Sequence, residues 1–377
     1  MNRLRNILLT VIILTIGPIV LDGKDSLSYR DITHRLTAEV HPVYNIPTHY
    51  FYRGNNPSGK AIGPASSFHL KYSFSLPYTY QGIGVSYNTF YQKDIVGSPA
   101  AIYIFQGVRL LSLSHNLSFG YEWNMGLSYG WKPNSVVSSR SNIYINVGLP
   151  LTWKASDSWE FQIGPEYTHF SNGDTSFPNG GANTVGLRIG ASRLFGDDAP
   201  RCLGKALISA DEGIRNVRFK DRISYDIFIY GAWRAARTLN GSSLQIKNSP
   251  HALGGLSFNP LYRINRYFLF GPSLDLQADT SVGLNASLSA PSLWDQTSCG
   301  LSLRGEIEMP FFSVNIGAGW NAIVNCNDIK RFYTTYTLKS FVSDKFFISI
   351  GYRLSAVQYT HNLMLGAGFR LYHSFFR

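Results

Sequence analysis

Two side chains that could carry out acyl transfer lie two residues apart, His169 and Ser171, in the run YTHFSNG at residues 167–173. Residues two apart on a β-strand share a face of that strand. A serine hydroxyl beside an imidazole that a third polar group orients is the arrangement of an activated nucleophile. If this segment is a strand, the spacing therefore permits ester hydrolysis.

Asn183 is the predicted third polar group. It has the parity of Val185 and Leu187 on the next strand candidate, and the intervening residues 178–181 read PNGG, a turn signal. A hairpin centred near residue 177 would place Asn183 opposite Ser171, and opposed residues have Cβ atoms about 4.5–5.5 Å apart. Ser171, His169 and Asn183 are therefore predicted to form one cluster.

The strand that carries His169 and Ser171 has one apolar and one polar face. Trp159, Phe161, Ile163 and Tyr167 share the parity of His169, whereas Glu160, Gln162, Glu166 and Thr168 have the opposite parity. The apolar face is predicted to contact lipid, so that His169 and Ser171 project outward near the extracellular rim. Polar groups in such a stripe are costly unless they have a function; the alternative is two interfacial residues without chemistry.

The same period-two alternation extends through the chain and predicts an all-β protein. Charged residues make up only 15% of the 377 residues and aromatic residues 14%, which argues against disorder. After residue 21 no apolar run approaches the roughly 18 residues of a membrane helix. Alternating segments of 10 to 16 residues match the strands of a transmembrane antiparallel β-barrel.

Sixteen strand candidates fall between residues 33 and 372, among them 141–155, 222–235 and 251–259. Residues 1–23 resemble a secretory signal, with an uncleaved anchor as the alternative. Residues 24–195 are predicted to be a barrel unit that carries the site, and 196–221 a periplasmic linker. Residues 222–377 would form a second unit or the second half of one barrel. Two stretches repeat at an offset of 187; two eight-stranded units would account for this repeat, and one sixteen-stranded barrel is the alternative. A passive porin would need a wide lumen.

The hairpin resembles the active-site hairpin of the lipid A 3-O-deacylases, the PagL family, through HFSNG at 169–173 and PNG at 178–180. The resemblance implies an eight-stranded outer-membrane barrel with Ser171 as nucleophile, His169 as general base and Asn172 as an oxyanion-hole contributor. The acidic residue of the family corresponds to Asn183, which departs from the pattern. Asparagine can orient a histidine, and Asp174 is an alternative acidic group.

Other motifs predict no further activity. The run GLSYG at 126–130 matches G-x-S-x-G, but its Ser128 lies within an alternating strand rather than in the strand–turn–helix context of a nucleophile elbow. At the offset of 187, Ala356 and Gln358 replace His169 and Ser171, so the C-terminal half is predicted to be inert. Cys202, Cys299 and Cys326 lack metal-ligand spacing, and we expect neither a metal nor a cofactor.

The sequence therefore predicts an integral protein of the Gram-negative outer membrane that removes an ester-linked acyl chain from lipid A. The expected partners are lipopolysaccharide in the outer leaflet and membrane lipid, and not nucleic acid. The formal net charge of +11 suits the anionic phosphates of lipopolysaccharide. The alternative function is a structural or transport barrel that retains a catalytically inactive remnant of the hairpin.

Overall fold

The computed structural model describes residues 33–75, 79–195, 219–240, 243–265, 267–283, 291–309, 312–326, 329–343, 345–355 and 359–372. The predicted signal at 1–23 and residues 196–218 of the predicted linker lie outside them, as do Cys202, Ala356 and Gln358. The described chain divides into two compact units, one with the strands up to Phe195 and the other with the strands from Ile223.

The N-terminal unit is an antiparallel barrel. Its strands are β1 Thr33–Asn45, β2 Pro64–Ser75, β3 Thr79–Thr89, β4 Gly97–Ser112, β5 Leu117–Trp131, β6 Ser141–Gly148, β7 Leu151–Lys154, β8 Trp159–Ser171 and β9 Ala182–Phe195. Neighbouring strands along the chain pair with each other except for β6 and β7, and the ring closes because β9 pairs with β1. Since β6 and β7 both lie between β5 and β8, they form one interrupted barrel strand, and the barrel has eight strand positions.

The interruption corrects the prediction of one strand over 141–155. Leu149 and Pro150 lie between β6 and β7, and proline has no N–H for the strand ladder. Two backbone hydrogen bonds join this point to the neighbouring strands: Leu149 N donates to Pro165 O, and Gly120 N donates to Pro150 O. A proline within an alternating run therefore divided the strand without changing which face its residues occupy.

Burial confirms the predicted inside and outside of β8 and β9. On the outer face, Phe161, Ile163, Val185 and Leu187 are each 43–48% exposed. On the inner face, Glu160 and Arg188 are buried at 1% and 0% exposure. The apolar stripe of these strands therefore faces away from the barrel interior.

Paired charges fill the barrel interior. Glu160 accepts from Arg35 at 2.8 Å and from Arg109 at 2.7 Å, and Lys71 lies 2.9 Å from a Glu122 oxygen. Buried charges are tolerated when they are paired and hydrogen-bonded. Eight-stranded barrels have interiors that side chains can fill, and this packed interior differs from the lumen that a passive porin needs.

Loops cover one end of this barrel and form an apolar cluster there. A 3-10 turn at Tyr50–Arg53 follows β1, and a short helix, α1 (Lys93–Val96), follows β3. Buried members of the cluster from these loops and the adjoining strand ends are Phe51, Tyr52, Ile62, Phe90, Val96, Trp131, Val136, Val137, Phe170 and Ala182. The cluster supports the loop between β8 and β9, which lies at the same end.

The C-terminal unit is a closed eight-stranded barrel. After a 3-10 turn at Phe219–Arg222, its strands are β10 Ile223–Asn240, β11 Ser243–Arg263, β12 Phe268–Asp279, β13 Thr297–Met309, β14 Phe312–Val324, β15 Phe332–Phe341, β16 Phe346–Ser355 and β17 Tyr359–Tyr372. The expected antiparallel β-barrel fold is thus confirmed, with two eight-stranded rings rather than one of sixteen strands.

The β10–β11 hairpin is longer than the segments 222–235 and 251–259 predicted. A register shift between Ala235 and Ala236 interrupts the alternation, and pairing then resumes to the end of the hairpin. A bulge adds an unpaired residue to one strand, so the period-two pattern ends before the strand does. In the described part of the chain, no helix has the length and apolar character required to cross a membrane.

Candidate functional site

The β8–β9 hairpin places His169 directly opposite Asn183. The sequence prediction had paired Asn183 with Ser171, and this register was wrong by two residues. The last pair of the hairpin joins Phe170 to Ala182, so Ser171 has its strand partner on the other side, at Ile143 of β6. The hairpin is therefore centred on residue 176 rather than on residue 177.

One carbonyl oxygen organises the polar groups on this outer face. Asn183 Oδ1 accepts from Tyr167 Oη at 2.6 Å and lies 2.7 Å from His169 Nδ1. An amide oxygen can only accept, so the hydrogen between these atoms belongs to Nδ1. The neutral imidazole of His169 then has Nε2 as its basic atom.

Ser171 occupies the end of β8, on the outward side that it shares with His169. It is only 6% exposed. A Cβ built on Gly181 would lie 3.3 Å from His169 Cε1 and 3.8 Å from Ser171 Cβ. Gly181 has a φ of +66°, a conformation that glycine adopts without strain. The bare backbone at residue 181 thus lies beside both side chains.

Asn172 makes hydrogen bonds within the β8–β9 loop and to the β5–β6 loop. Its backbone N donates to Asn179 Oδ1 at 3.0 Å, and its side-chain Nδ2 donates to Ser138 Oγ at 3.1 Å and to Ser176 O at 2.8 Å. Its three N–H groups therefore already have acceptors. A role in an oxyanion hole requires that one of these acceptors be exchanged for the substrate.

Asp174 does not replace the family's acidic residue at His169. Its Oδ1 accepts from Asn179 Nδ2 at 2.9 Å, across the base of the loop. The Nδ1 atom of His169 instead faces Asn183. Asp174 contributes to the shape of the loop, and the orienting role falls to an amide.

Neighbouring loops hold the β8–β9 loop from two sides. Tyr52 Oη donates to Gly181 O at 2.9 Å, and Gly180 N donates to Val136 O at 2.7 Å. Burial raises the pKa of the Tyr52 hydroxyl, which keeps this donor protonated over the working pH range. The peptide groups next to Ser171 and His169 are therefore fixed by contacts outside their own hairpin.

Ser128, in the GLSYG motif, lies on the opposite side of the barrel wall. It is 1% exposed, donates to Asn142 O at 3.0 Å and accepts from Trp131 Nε1 at 2.9 Å. Its position in β5 is that of an inward-facing structural residue. The structure therefore agrees with the interpretation that this motif is not a nucleophile elbow.

Two contributors to the site escaped the sequence analysis. Tyr167 has the parity of His169 and lies two residues before it, so the alternation alone could have indicated its proximity. Tyr52 is far from the hairpin in sequence, and its contact with Gly181 depends on how the first loop folds. Nothing in the local pattern of either segment predicts that contact.

A closed antiparallel barrel with an apolar outer face, a charged and packed interior and polar groups on one outer hairpin defines a membrane-type β-barrel. Residues 27–192 match the model of the lipid A 3-O-deacylase (PagL) family, and residues 223–374 match that of the acyloxyacyl hydrolase C-terminal domain. Together these matches cover most of the chain, and the chain belongs to the PagL family of lipid A deacylases. It is thus a member of a family of outer-membrane hydrolases that act on lipid A.

Two solved structures match the chain at low sequence identity. Neisserial surface protein A is 10% identical, with a TM-score of 0.32, and the alignment covers 43% of this chain and 97% of that protein. The N-terminal β-barrel domain of Pseudomonas aeruginosa OprF is 11% identical, with a TM-score of 0.28 and coverage of 43% and 97%. No match to a curated protein was found by sequence.

Proposed function

We propose that this protein is a serine ester hydrolase that removes an ester-linked acyl chain from lipid A at the outer surface of its N-terminal barrel. The observation that supports this most directly is the hydrogen bond between His169 Nδ1 and Asn183 Oδ1. It leaves the Nε2 atom of an outward-facing imidazole as a base, on the same strand face as Ser171.

In the proposed reaction, Ser171 Oγ attacks the carbonyl carbon of the ester while His169 Nε2 takes the hydroxyl proton. Collapse of the tetrahedral intermediate breaks the bond to the sugar oxygen, which takes that proton from His169. Water, activated by the same imidazole, then releases the fatty acid and restores Ser171. Asn183 holds His169 in the required tautomer throughout.

The surroundings of the site suit an acyl substrate that arrives sideways from the membrane. On β6, Ile143 and Ile145 lie directly opposite Ser171 and His169. On β9, Val185 is 45% exposed and lies opposite Tyr167. The two less buried of these, Ile145 and Val185, can contact a fatty acyl chain while its ester bond lies at the depth of the polar groups, near the headgroups.

Asn172 is proposed to stabilise the oxyanion after an exchange of partners. Its side-chain amide bonds to Ser138 Oγ and Ser176 O, and a negatively charged oxygen is a stronger acceptor than either. An ester oxygen that develops charge next to Ser171 would therefore compete for one of these N–H groups.

The proposed topology places the site at the extracellular side of the outer membrane of a Gram-negative cell, as an integral barrel. The β8–β9 loop, the long β1–β2 loop and the β5–β6 loop all lie at one end of the barrel, and the short β4–β5 and β7–β8 turns lie at the other. Short turns face the periplasm in such barrels. The segment 196–221 that follows β9 would then be periplasmic.

The test is mass spectrometry of lipid A that has been incubated with the purified, refolded full chain. We expect a product lighter by one ester-linked acyl group, together with the free fatty acid. Unchanged lipid A after incubation with protein shown to be folded would contradict the proposal. It would favour the second candidate function, a structural barrel with a catalytically inactive hairpin, for which the amide at Asn183 is the supporting observation.

Replacing Tyr167 with phenylalanine should lower kcat moderately. The substitution removes one of the two hydrogen bonds that Asn183 Oδ1 accepts, and a neutral hydrogen bond contributes roughly 0.5–1.5 kcal/mol. We expect a decrease of about three- to tenfold with little change in KM, measured as initial rates on lipid A micelles. Tyr87→Phe, at another outward tyrosine that is 49% exposed, is the matched control. Equal rates in both variants would show that Tyr167 has no positioning role.

A further inference from the structure

The C-terminal barrel contains a polar cavity that the proposed deacylation does not use. It lies at the end that carries the β12–β13 and β14–β15 connections and has a volume of about 30 Å³. A space of roughly 10–15 Å³ accommodates one water. The cavity therefore has room for two or three water-sized polar groups, such as the oxygens of a bound anion.

Arg353 of β16 lines this cavity without an acidic partner. It is 4% exposed, and no carboxylate lies within 4 Å of it in the part of the chain that the structure describes. By contrast, the buried cations Arg304, Lys339 and Arg370 each pair with a carboxylate. A buried charge without a counterion is unfavourable, so an anion at Arg353 would remove an energetic cost.

The groups that contact Arg353 most closely are uncharged. It donates to Asn321 Oδ1 at 2.8 Å, and its guanidinium lies 3.8 Å from the centre of the Tyr333 ring. Asp275 is already occupied, because its two oxygens accept from Arg304, Tyr333, Ser257, Ser273 and Ser302. Asp275 therefore acts on Arg353 through its charge at longer range, and not as a paired carboxylate.

Asn362 gives an independent indication that a ligand binds here. It lies directly opposite Arg353 in the β16–β17 pairing, lines the same cavity and is 0% exposed. Among the residues that the structure describes, neither its Nδ2 nor its Oδ1 has a hydrogen-bond partner. An unsatisfied buried polar group is unfavourable, and an anion in the cavity would accept a hydrogen bond from Nδ2.

The charge around the cavity favours an anion over a cation. Its charged lining residues are Arg234, Lys330, Arg353 and Asp279, which leaves an excess of two positive charges. Asp279 is held by Arg234, with Arg234 Nε 3.2 Å from its Oδ2. Among the described residues that line the cavity, the only acidic one is therefore already neutralised.

We infer that this cavity binds a phosphate group, with Arg353 and Asn362 as its buried ligands and Lys330 at its opening. A planar guanidinium matches the oxygens of phosphate and can donate two parallel hydrogen bonds to them. Inorganic phosphate and the phosphate of a lipid headgroup share this chemistry. The inference concerns a site separate from the proposed hydrolase hairpin.

The test is a titration of the purified full chain with inorganic phosphate, in which isothermal calorimetry measures binding. Arg353→Gln keeps a donor for Asn321 but removes the charge, and should weaken phosphate binding at least about tenfold, since hydrogen bonds to charged groups contribute roughly 1.5–3 kcal/mol. Asn362→Leu should weaken it several-fold. Lys330→Gln, at an exposed residue that cannot affect folding strongly, should produce a smaller loss.

Arg331→Gln is the matched control, because Arg331 is an exposed cation next to Lys330 that does not line the cavity. Absence of phosphate binding by the unmodified protein, or equal affinity in all four variants, would overturn the inference. Competition between labelled phosphate and intact lipopolysaccharide identifies the source: displacement indicates a headgroup phosphate, and its absence indicates a soluble one. Since the readout is binding, its failure leaves the proposal for Ser171 unaffected.

Discussion

Ser171→Ala and His169→Ala should each reduce deacylation of lipid A by at least about a thousandfold, the scale on which loss of a nucleophile–base unit acts. The serine supplies the attacking oxygen and the imidazole removes its proton, so neither group works without the other. For the same reason, the double variant should be no slower than either single variant. Rates are measured by mass spectrometry of the product at saturating lipid A.

Both substitutions should leave the barrel intact, because Ser171→Ala removes a single oxygen and His169 lies on the outer face. Ser128→Ala is the matched control for loss of a serine hydroxyl. It removes a buried partner of Trp131 and Asn142, so it should lower stability by about 1–3 kcal/mol while the rate per folded molecule stays the same. Deacylation that persists in Ser171→Ala would exclude this serine as nucleophile.

The sequence predicted the faces of the strands better than their ends. Alternation of apolar and polar residues determines which side of a barrel wall each residue occupies, and Glu160 and Phe161 lie on the predicted faces. Strand ends depend instead on local backbone events. Pro150 interrupts one strand, and the bulge after Ala235 ends the alternation of another before the strand itself ends.

The predicted grouping of His169 and Asn183 is confirmed by their contact, although the register behind it was wrong. A strand face survives a register error of two residues, because the side-chain period is also two. The hydrogen bonds of Asn172 could not be predicted from the alternation of apolar and polar residues. They depend on Ser138 and on the fold of a ten-residue loop with positive φ at Gly173, Asp174 and Gly181, which alternation does not specify.

The role of Asn183 in fixing the tautomer of His169 can be tested by substitution. Asn183→Leu removes the acceptor for both Tyr167 and His169, and should reduce kcat by about a hundredfold or more, because the imidazole is then free to turn or to carry its proton on Nε2. Asn183→Asp has the same shape and keeps an acceptor at the same position. It adds the negative charge that the PagL family has at the corresponding residue.

The kcat of Asn183→Asp should therefore equal that of the unmodified protein or exceed it by up to about tenfold. The reason is that a hydrogen bond to a charged group contributes roughly 1 kcal/mol more than a neutral one. The gain arises in the transition state, where His169 becomes positively charged as Ser171 attacks. Initial rates of the two variants on lipid A measure it. Asn183→Leu at the unmodified rate would show that Asn183 does not orient His169. If both the unmodified protein and Asn183→Asp lacked activity, the structural-barrel alternative would be favoured over a hydrolase that uses an amide where its family uses a carboxylate.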